Sequence, residues 1–193
     1  MRVSKAVMAS NNRKIIENAA VLFRQQGIDA TSVAQVMEAA GLTHGGFYRH
    51  FESKEALVVA ALDCAFEGLT APLVENLESL GGKPALRRFA EEYLSMGHAL
   101  NRGKGCPLAA LAAEADRNQP SQKAALARGR ERFIELLAQG LDKTVEDKTA
   151  LATGLLSVLV GALVMARACE DEAAMAMALE SGKGVFLGLV SEY

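Results

Sequence analysis

Residues 31–54 constrain the fold of this 193-residue chain most strongly, because they predict two short helices separated by a single glycine. The first helix is predicted to begin at Ser32 with Thr31 as its cap, since a threonine oxygen can accept a free N–H of the first turn. Its apolar residues recur at helical spacing: Val33, Val36 and Met37. Gly41 then ends the helix, because glycine adopts the left-handed conformation without steric cost.

A second helix is predicted from its cap Thr43 to His50, and it contains an unusual pair of glycines, Gly45 and Gly46. Each glycine costs a helix roughly 1 kcal/mol relative to alanine, so a close partner surface is needed to offset the pair. The major groove of DNA is such a surface. Two aromatic residues are expected to face the core: Phe47 and Phe51. Polar and basic groups remain on the outward side: Thr43, His44, Tyr48 and His50.

A third helix is predicted from Lys54 onward, with Ser53 as its cap. The free N–H groups at its N-terminus and the Lys54 ammonium group can together bind a phosphate. Together these elements indicate a helix-turn-helix that binds DNA. The alternative is a helical hairpin that only packs, and this alternative leaves the glycine pair unexplained.

These residues resemble the TetR family of bacterial transcription regulators from about Asn12 to Leu62. The resemblance rests on an ordered set of segments: Arg13–Phe23, Gly27, Ala30–Val33, Gly41–Leu42, Phe47–Phe51 and Ser53–Leu57. It implies an all-helical homodimer with an N-terminal DNA-binding domain and a C-terminal domain for ligand binding and dimerisation.

The candidate DNA contacts fall into two sets. The candidates near base edges are Thr43, His44 and Tyr48, whereas the family's motif implies phosphate contacts by Tyr48, His50 and Lys54. Gly45 and Gly46 offer no side chain, so this helix is expected to rely on backbone fit and DNA shape as well. Two such helices in a two-fold dimer would read an approximate palindrome in double-stranded DNA.

Charge is unevenly distributed along the chain. Residues 1–55 carry seven Lys and Arg against five Asp and Glu, whereas residues 56–193 carry 14 against 18, for a net charge of −2. The asymmetry places the phosphate-facing end at the N-terminus, and the negative net charge argues against indiscriminate affinity for nucleic acid. In the N-terminal arm, Arg2 and Lys5 are candidates for contacts with phosphate or a minor groove.

Other features of the composition favour a cytoplasmic protein without a cofactor. The first ten residues lack the apolar run of a secretory signal, and three cysteines without a C-x-x-C pair suit a reducing compartment. There are three histidines, and neither a metal-binding motif nor a phosphate-binding loop occurs. We therefore expect no metal, no cofactor and no enzyme activity.

The rest of the chain lacks an alternating pattern long enough for a convincing strand, so we expect an all-α protein of about nine helices. Residues 1–55 are assigned to the DNA-binding helix-turn-helix domain and residues 56–193 to the ligand-binding and dimerisation domain. The helices predicted after the glycine pair span 53–80, 84–100, 107–117, 120–143, 148–168 and 172–191.

Thr149–Ala166 contains no charged residue over 18 positions, which is borderline in length for a membrane span. Small and polar residues dilute its apolar character, and no second candidate span is recognised, so no membrane partner is expected. Instead, small residues seven apart predict close helix packing in a four-helix dimer interface. The predicted interface residues are Gly154, Ser157, Val158, Gly161, Met165, Gly182 and Phe186. The alternative is a core helix within one protomer.

Gly105-Cys106-Pro107 is the second candidate site. Pro107 suits the first position of a helix, which makes Cys106 its cap. The positive end of the helix dipole, together with Arg102 and Lys104, is expected to lower the pKa of the thiol. Cys106 is therefore a candidate sensor of electrophiles or oxidants. The alternative is a small residue packed at a helix end beside a ligand cavity.

The methionine-rich, aromatic-poor C-terminal part is expected to enclose a pliable apolar pocket for an unknown small-molecule inducer. Its candidate lining residues are Phe66, Phe89, Tyr93, Met96, His98 and Phe133, each of which is also compatible with core packing. The leading hypothesis is a homodimeric repressor of a palindromic operator, released by a small-molecule or electrophile inducer. The alternatives are a transcriptional activator, a constitutive architectural DNA binder, or a helical small-molecule-binding protein with a vestigial DNA motif.

Overall fold

The computed structural model describes residues 5–115 and 119–192; Arg2 and the predicted end of the helix over 107–117 lie outside them. Within these residues the fold is entirely helical, as predicted, with nine α-helices and two short 3-10 helices. The α-helices are α1 Lys5–Gln26, α2 Val33–Ala39, α3 Lys54–Ser79, α4 Gly82–Tyr93, α5 Met96–Leu100, α6 Pro107–Ala115, α7 Pro120–Gln139, α8 Lys148–Arg167 and α9 Glu172–Glu192. The 3-10 helices span His44–Arg49 and Arg102–Lys104.

Buried apolar side chains form two clusters, and α3 runs through both. The N-terminal cluster packs α1, α2 and the 3-10 helix His44–Arg49 against the first half of α3, with Phe23 and Phe47 fully buried. The C-terminal cluster packs α4, α7, α8 and α9 around the second half of α3, with Phe133 and Phe186 fully buried. Because α3 is continuous across both clusters, the division of the chain at residue 55 stays a prediction.

The single helix predicted over 84–100 is instead two helices, α4 and α5. Leu94 and Ser95 leave the helical conformation, and the Ser95 side chain accepts the His98 backbone N–H to start α5. Serine favours such N-cap positions because its hydroxyl competes with the helical hydrogen bond. The break places His98 against Tyr93, with their ring centroids 4.5 Å apart.

Three helices, α3, α8 and α9, are long and apolar enough to cross a membrane by length and composition, whereas one candidate was recognised from the sequence. In the fold, α8 packs along α9, and α3 packs against α1, α4 and α7. One side of the α8–α9 pair stays exposed and apolar, and we call it the α8/α9 face: Val164, Met165, Met177 and Val185. An exposed apolar patch of this kind is a candidate interaction surface.

Candidate DNA-binding site and ligand cavity

The first helix of the helix-turn-helix is capped by Ser32 rather than by Thr31. The Ser32 side chain accepts the Gln35 N–H, and the Gln35 side chain accepts the Ser32 N–H in return. Thr31 is buried, and its hydroxyl donates to the Gly27 carbonyl at 2.7 Å, so it fixes the turn after α1. Gly41 lies one residue beyond Ala40, the C-cap of α2, and has a φ of 69°, as expected for a left-handed helix stop.

The second helix of the motif, His44–Arg49, is a 3-10 helix rather than the predicted α-helix, and Thr43 provides no side-chain cap. Two adjacent glycines explain this difference, because they weaken the α-helical alternative. Phe47 anchors the segment: its ring is buried and stacks on Phe51 with centroids 5.8 Å apart. Tyr48 points away from this core, and 73% of its surface is exposed.

The predicted DNA contacts of the helix-turn-helix all lie within residues 43–54, and each of them is exposed or partly exposed. The exposed residues are Thr43, His44, Gly45 and Tyr48, and the partly exposed residues are Gly46, His50 and Lys54. The Ser53 side chain accepts the Ala56 N–H at 3.1 Å and caps α3, as predicted. Arg49 was not among the predicted contacts, although it is exposed in the last turn of the 3-10 helix.

Neither the surrounding atoms of the protomer nor the backbone conformation requires glycine at positions 45 and 46. A Cβ at Gly45 would meet nothing within 4 Å. A Cβ at Gly46 would lie 3.6 Å from the Met37 side chain and 3.7 Å from the Thr43 hydroxyl, which is ordinary van der Waals contact. Neither glycine is among the four described glycines with a positive φ.

A cavity of about 230 Å³ opens between α3, α4 and α5. Of the predicted pocket residues, Phe89, Tyr93 and His98 line it. Phe89 and Tyr93 are buried and form its floor, with ring centroids 5.7 Å apart. Three polar residues at the exposed rim were not predicted: Glu92, Asn101 and Lys104. The sequence could have indicated these rim residues, because they lie in a polar segment next to an apolar stripe.

The other predicted pocket residues lie elsewhere. Phe66 lines a separate groove between α3 and α7, and Met96 packs against the C-terminal core. Phe133 is fully buried beneath Phe89, in an edge-to-face contact with centroids 5.6 Å apart. Within the described ranges, no three His, Cys, Asp or Glu side chains are grouped so that they could hold a metal ion.

Gly105 and Cys106 lie where the DNA-binding half meets the C-terminal half. Arg24 of α1 donates to the Gly105 carbonyl at 3.0 Å, and the Cys106 backbone N–H donates to His98 Nε2 at 2.9 Å. His98 Nδ1 lies 2.6 Å from the Tyr93 carbonyl oxygen. Because that oxygen can only accept and the Cys106 N–H can only donate, the contacts select the neutral tautomer with a proton on Nδ1.

The Cys106 thiol is fully buried, which agrees with the alternative of a small residue packed at a helix end. Burial raises the pKa of the thiol and outweighs the opposing effects of Tyr93, of the backbone N–H groups of Ala109 and Leu108, and of Arg167. The prediction of a lowered thiol pKa is therefore wrong, because removal from water disfavours the thiolate more than the helix N-terminus favours it. The sensor role itself stays a prediction.

We expect iodoacetamide to alkylate Cys106 in the folded protein at least about tenfold more slowly than in the urea-unfolded chain, because the thiolate is the nucleophile and burial suppresses it. Timed quenching followed by peptide mass spectrometry gives the rates. Cys169, which is partly exposed, serves as the internal control. Equal rates at Cys106 and Cys169 in the folded protein would contradict the burial of the Cys106 thiol.

The predicted dimer residues divide into two groups. Four are exposed along α8: Gly154, Ser157, Gly161 and Met165, while Val158 is partly exposed. A Cβ at Gly154 or Gly161 would meet no other atom of the protomer within 4 Å. Gly182 and Phe186 pack inside the protomer instead. Phe186 is fully buried, and a Cβ at Gly182 would lie 2.3 Å from the Ala162 Cβ of α8.

A helix-turn-helix with an exposed polar face, joined to a second helical domain, defines the class of DNA-binding transcription regulators. The family described as bacterial regulatory proteins of the TetR family matches residues 15–61. The family described as the tetracyclin repressor-like C-terminal domain matches residues 82–181. The chain therefore belongs to the TetR family of transcriptional regulators.

Similar proteins include HTH-type transcription regulators and a solved TetR-family structure. An uncharacterised HTH-type transcriptional regulator of Mycobacterium tuberculosis is 29% identical, over 85% of this chain and 88% of its own. The HTH-type transcriptional repressor KstR2 of Rhodococcus jostii is 42% identical over 45% of this chain and 44% of its own. The crystal structure of a TetR regulator from Chloroflexus aurantiacus has a TM-score of 0.80 and 26% identity, with 97% of both chains covered.

Proposed function

We propose that the protein is a cytoplasmic homodimeric repressor that binds a palindromic operator and is released from it by a small-molecule inducer. The observation that carries the proposal is the glycine pair Gly45 and Gly46, which nothing within the protomer requires. A bare backbone at this position lets the edge of a DNA groove approach closely. Side chains around the pair supply the contacts: Thr43, His44, Tyr48, Arg49, His50 and Lys54.

The α8/α9 face supports the dimer. It is apolar and exposed in the protomer, and the glycines next to it on α8 leave room for close approach of a second helix pair. A closed two-fold dimer presents the same patch on both subunits. Its two helix-turn-helix units then read two half-sites related by the same symmetry, which makes the operator a palindrome.

Hydrogen bonds at the junction between the two halves support release by an inducer. A ligand in the cavity would contact Tyr93 and His98. His98 accepts a hydrogen bond from the Cys106 backbone N–H. The adjacent Gly105 carbonyl accepts one from Arg24 of α1, so the cavity is linked to the DNA-binding half. A ligand shifts the equilibrium between the DNA-bound and the released conformation only by as much as its affinities for these two conformations differ. Release by an electrophile at Cys106 additionally requires the junction to open, since the thiol is buried.

Selection from random duplex DNA by the purified protein, with and without reductant, tests the proposal. Enrichment of a palindrome whose affinity falls steeply with salt supports specific dimeric binding. Enrichment that depends on reductant in the wild type but not in Cys106→Ser would indicate that Cys106 takes part in regulation. No enrichment in either condition would contradict the proposal and favour a vestigial DNA motif.

We expect Gly45→Ala to change stability and DNA binding in opposite directions. The free energy of unfolding should rise by about 0.4–1 kcal/mol, because alanine has less conformational freedom in the unfolded chain and its Cβ meets no atom. Operator affinity should fall by at least about tenfold, or about 1.4 kcal/mol, because the Cβ blocks close approach. Urea denaturation and fluorescence anisotropy with the selected duplex measure the two effects.

The matched control is Ala124→Gly at an exposed position of α7. It should lower stability by about 1 kcal/mol and leave operator affinity unchanged, which separates stability from recognition. Wild-type operator affinity in Gly45→Ala would show that DNA does not approach this backbone.

A further inference from the structure

The cavity between α3, α4 and α5 has the size and lining for a single ring. Its volume of about 230 Å³ lies below the range of about 300–1,000 Å³ for pockets that hold drug-sized ligands. The buried rings of Phe89 and Tyr93 form the floor, and Leu69 and Pro72 of α3 form one wall. Aromatic floor residues favour offset or edge-to-face contact with another aromatic ring.

The α3 wall also offers a hydrogen-bond acceptor. Pro72 lies inside α3 and has no backbone N–H, so the carbonyl of Gly68, four residues earlier, lacks its usual helical donor. Gly68 and Pro72 both line the cavity. Gly68 has no side chain, and a Cβ there would meet nothing within 4 Å. This wall is therefore open to a ligand that carries a hydroxyl donor.

The rim of the cavity offers a cation that is free to bind an anion. Lys104 is exposed at the rim beside Asn101. Glu92 is the carboxylate among the lining residues, and it is already paired with Arg88 at 2.7 Å. Lys104 has no ion pair within the described part of the chain, so its ammonium group remains available.

Two partly buried guanidinium groups add positive potential behind the cavity. Arg24 donates to the Ala20 and Gly105 carbonyls, and Arg167 donates to the His98 and Ala99 carbonyls. Neither is paired with a carboxylate among the residues that the structure describes. Burial lowers the pKa of His98, the hydrogen bond to the Tyr93 carbonyl opposes this shift, and the charges of Arg167 and Arg24 act in the same direction as burial.

We propose that this cavity binds a small phenolic acid, with its ring on Phe89 and Tyr93, its carboxylate at Lys104 and its hydroxyl donating to the Gly68 carbonyl. His98 contributes its ring surface, because both of its nitrogens are engaged by backbone groups. This inference rests on the proposed function, since it gives the chemical class of the inducer for the same cavity.

Isothermal titration of the full-length protein with 4-hydroxybenzoate, in the absence of DNA, tests the proposal. We expect saturable binding of one molecule per protomer. Binding of 4-hydroxybenzyl alcohol, which lacks the carboxylate, should be at least about tenfold weaker because a charge-assisted contact is lost. Benzoate, which lacks the hydroxyl, should also bind more weakly than 4-hydroxybenzoate.

Two variants separate the roles of the wall and the rim. Gly68→Leu should abolish binding, because the side chain extends into the cavity without striking a protein atom at its Cβ. Lys104→Met should weaken 4-hydroxybenzoate binding at least about tenfold and leave the weak binding of 4-hydroxybenzyl alcohol unchanged. Circular dichroism confirms that each variant is folded, and Ala124→Leu on exposed α7 is the matched control for Gly68→Leu.

Absence of saturable binding to the wild type would overturn the inference, as would wild-type affinity in folded Gly68→Leu. Equal affinity for the acid and the alcohol would overturn it as well. Because the titration contains no DNA, these outcomes are independent of the DNA selection. A palindrome enriched by a protein that binds no phenolic acid would refute this inference and leave the proposed function standing.

Discussion

Met165→Asp is expected to make the protein monomeric and to weaken operator binding by about 10²–10⁴-fold. Met165 is 66% exposed in the protomer and lies in the α8/α9 face beside Val164. In a dimer that buries this face, the new carboxylate would be removed from water without a partner, which is strongly unfavourable. The proposed dimer would bind its second half-site intramolecularly, and a monomer would lose that advantage.

Sedimentation velocity gives the oligomeric state, and fluorescence anisotropy with the selected duplex gives the affinity. Ala124→Asp, which places the same charge at an exposed position of α7, is the matched control and should remain a dimer. A Met165→Asp protein that stays dimeric with wild-type operator affinity would exclude the α8/α9 face as the dimer interface.

Phe133→Ala is expected to lower the free energy of unfolding by about 3–5 kcal/mol. Phe133 is fully buried, and its ring centroid lies 5.6 Å from that of Phe89 and 6.2 Å from that of Tyr93. Truncation removes the apolar contacts of a whole ring and leaves a void beside Phe89 and Tyr93, which the surrounding helices can close only in part. Urea denaturation followed by circular dichroism measures the change.

Phe133→Leu is the conservative control, and its loss should be smaller, about 1–2 kcal/mol, because most of the apolar volume is kept. A loss below about 1 kcal/mol for Phe133→Ala would be incompatible with a fully packed ring. Phe133 was predicted as a pocket-lining residue, so this experiment also distinguishes a lining position from the core position that the structure gives it.

The DNA-binding half was largely predictable because its signals are local. The Ser53 cap, the Gly41 helix stop and the inward position of Phe47 each depend on residues within a few positions along the chain. Three details differed. Thr31 was predicted as a cap but bonds the preceding turn, Thr43 provides no side-chain cap, and the second helix is 3-10 rather than α. These differences follow from competition between neighbouring local interactions of similar strength.

The C-terminal sites were less predictable because they depend on which helix faces meet. The cavity joins Gly68 of α3, Phe89 of α4 and His98 of α5, which are far apart in the chain. Helical spacing shows that these residues lie on apolar or polar stripes, but a stripe can face a cavity, the core or another subunit. Phe66, Met96 and Phe133 share the same spacing signals and lie outside this cavity.

The order of residues along the chain was sufficient for the all-helical class, the helix-turn-helix and the family, because caps, glycine stops and apolar periodicity act over a few residues. Burial was decided by the tertiary structure, because it depends on how distant helices pack. That packing took the Cys106 thiol out of water and raised its pKa. It also enclosed Gly182 and Phe186 within the protomer and left Met165 exposed on the α8/α9 face.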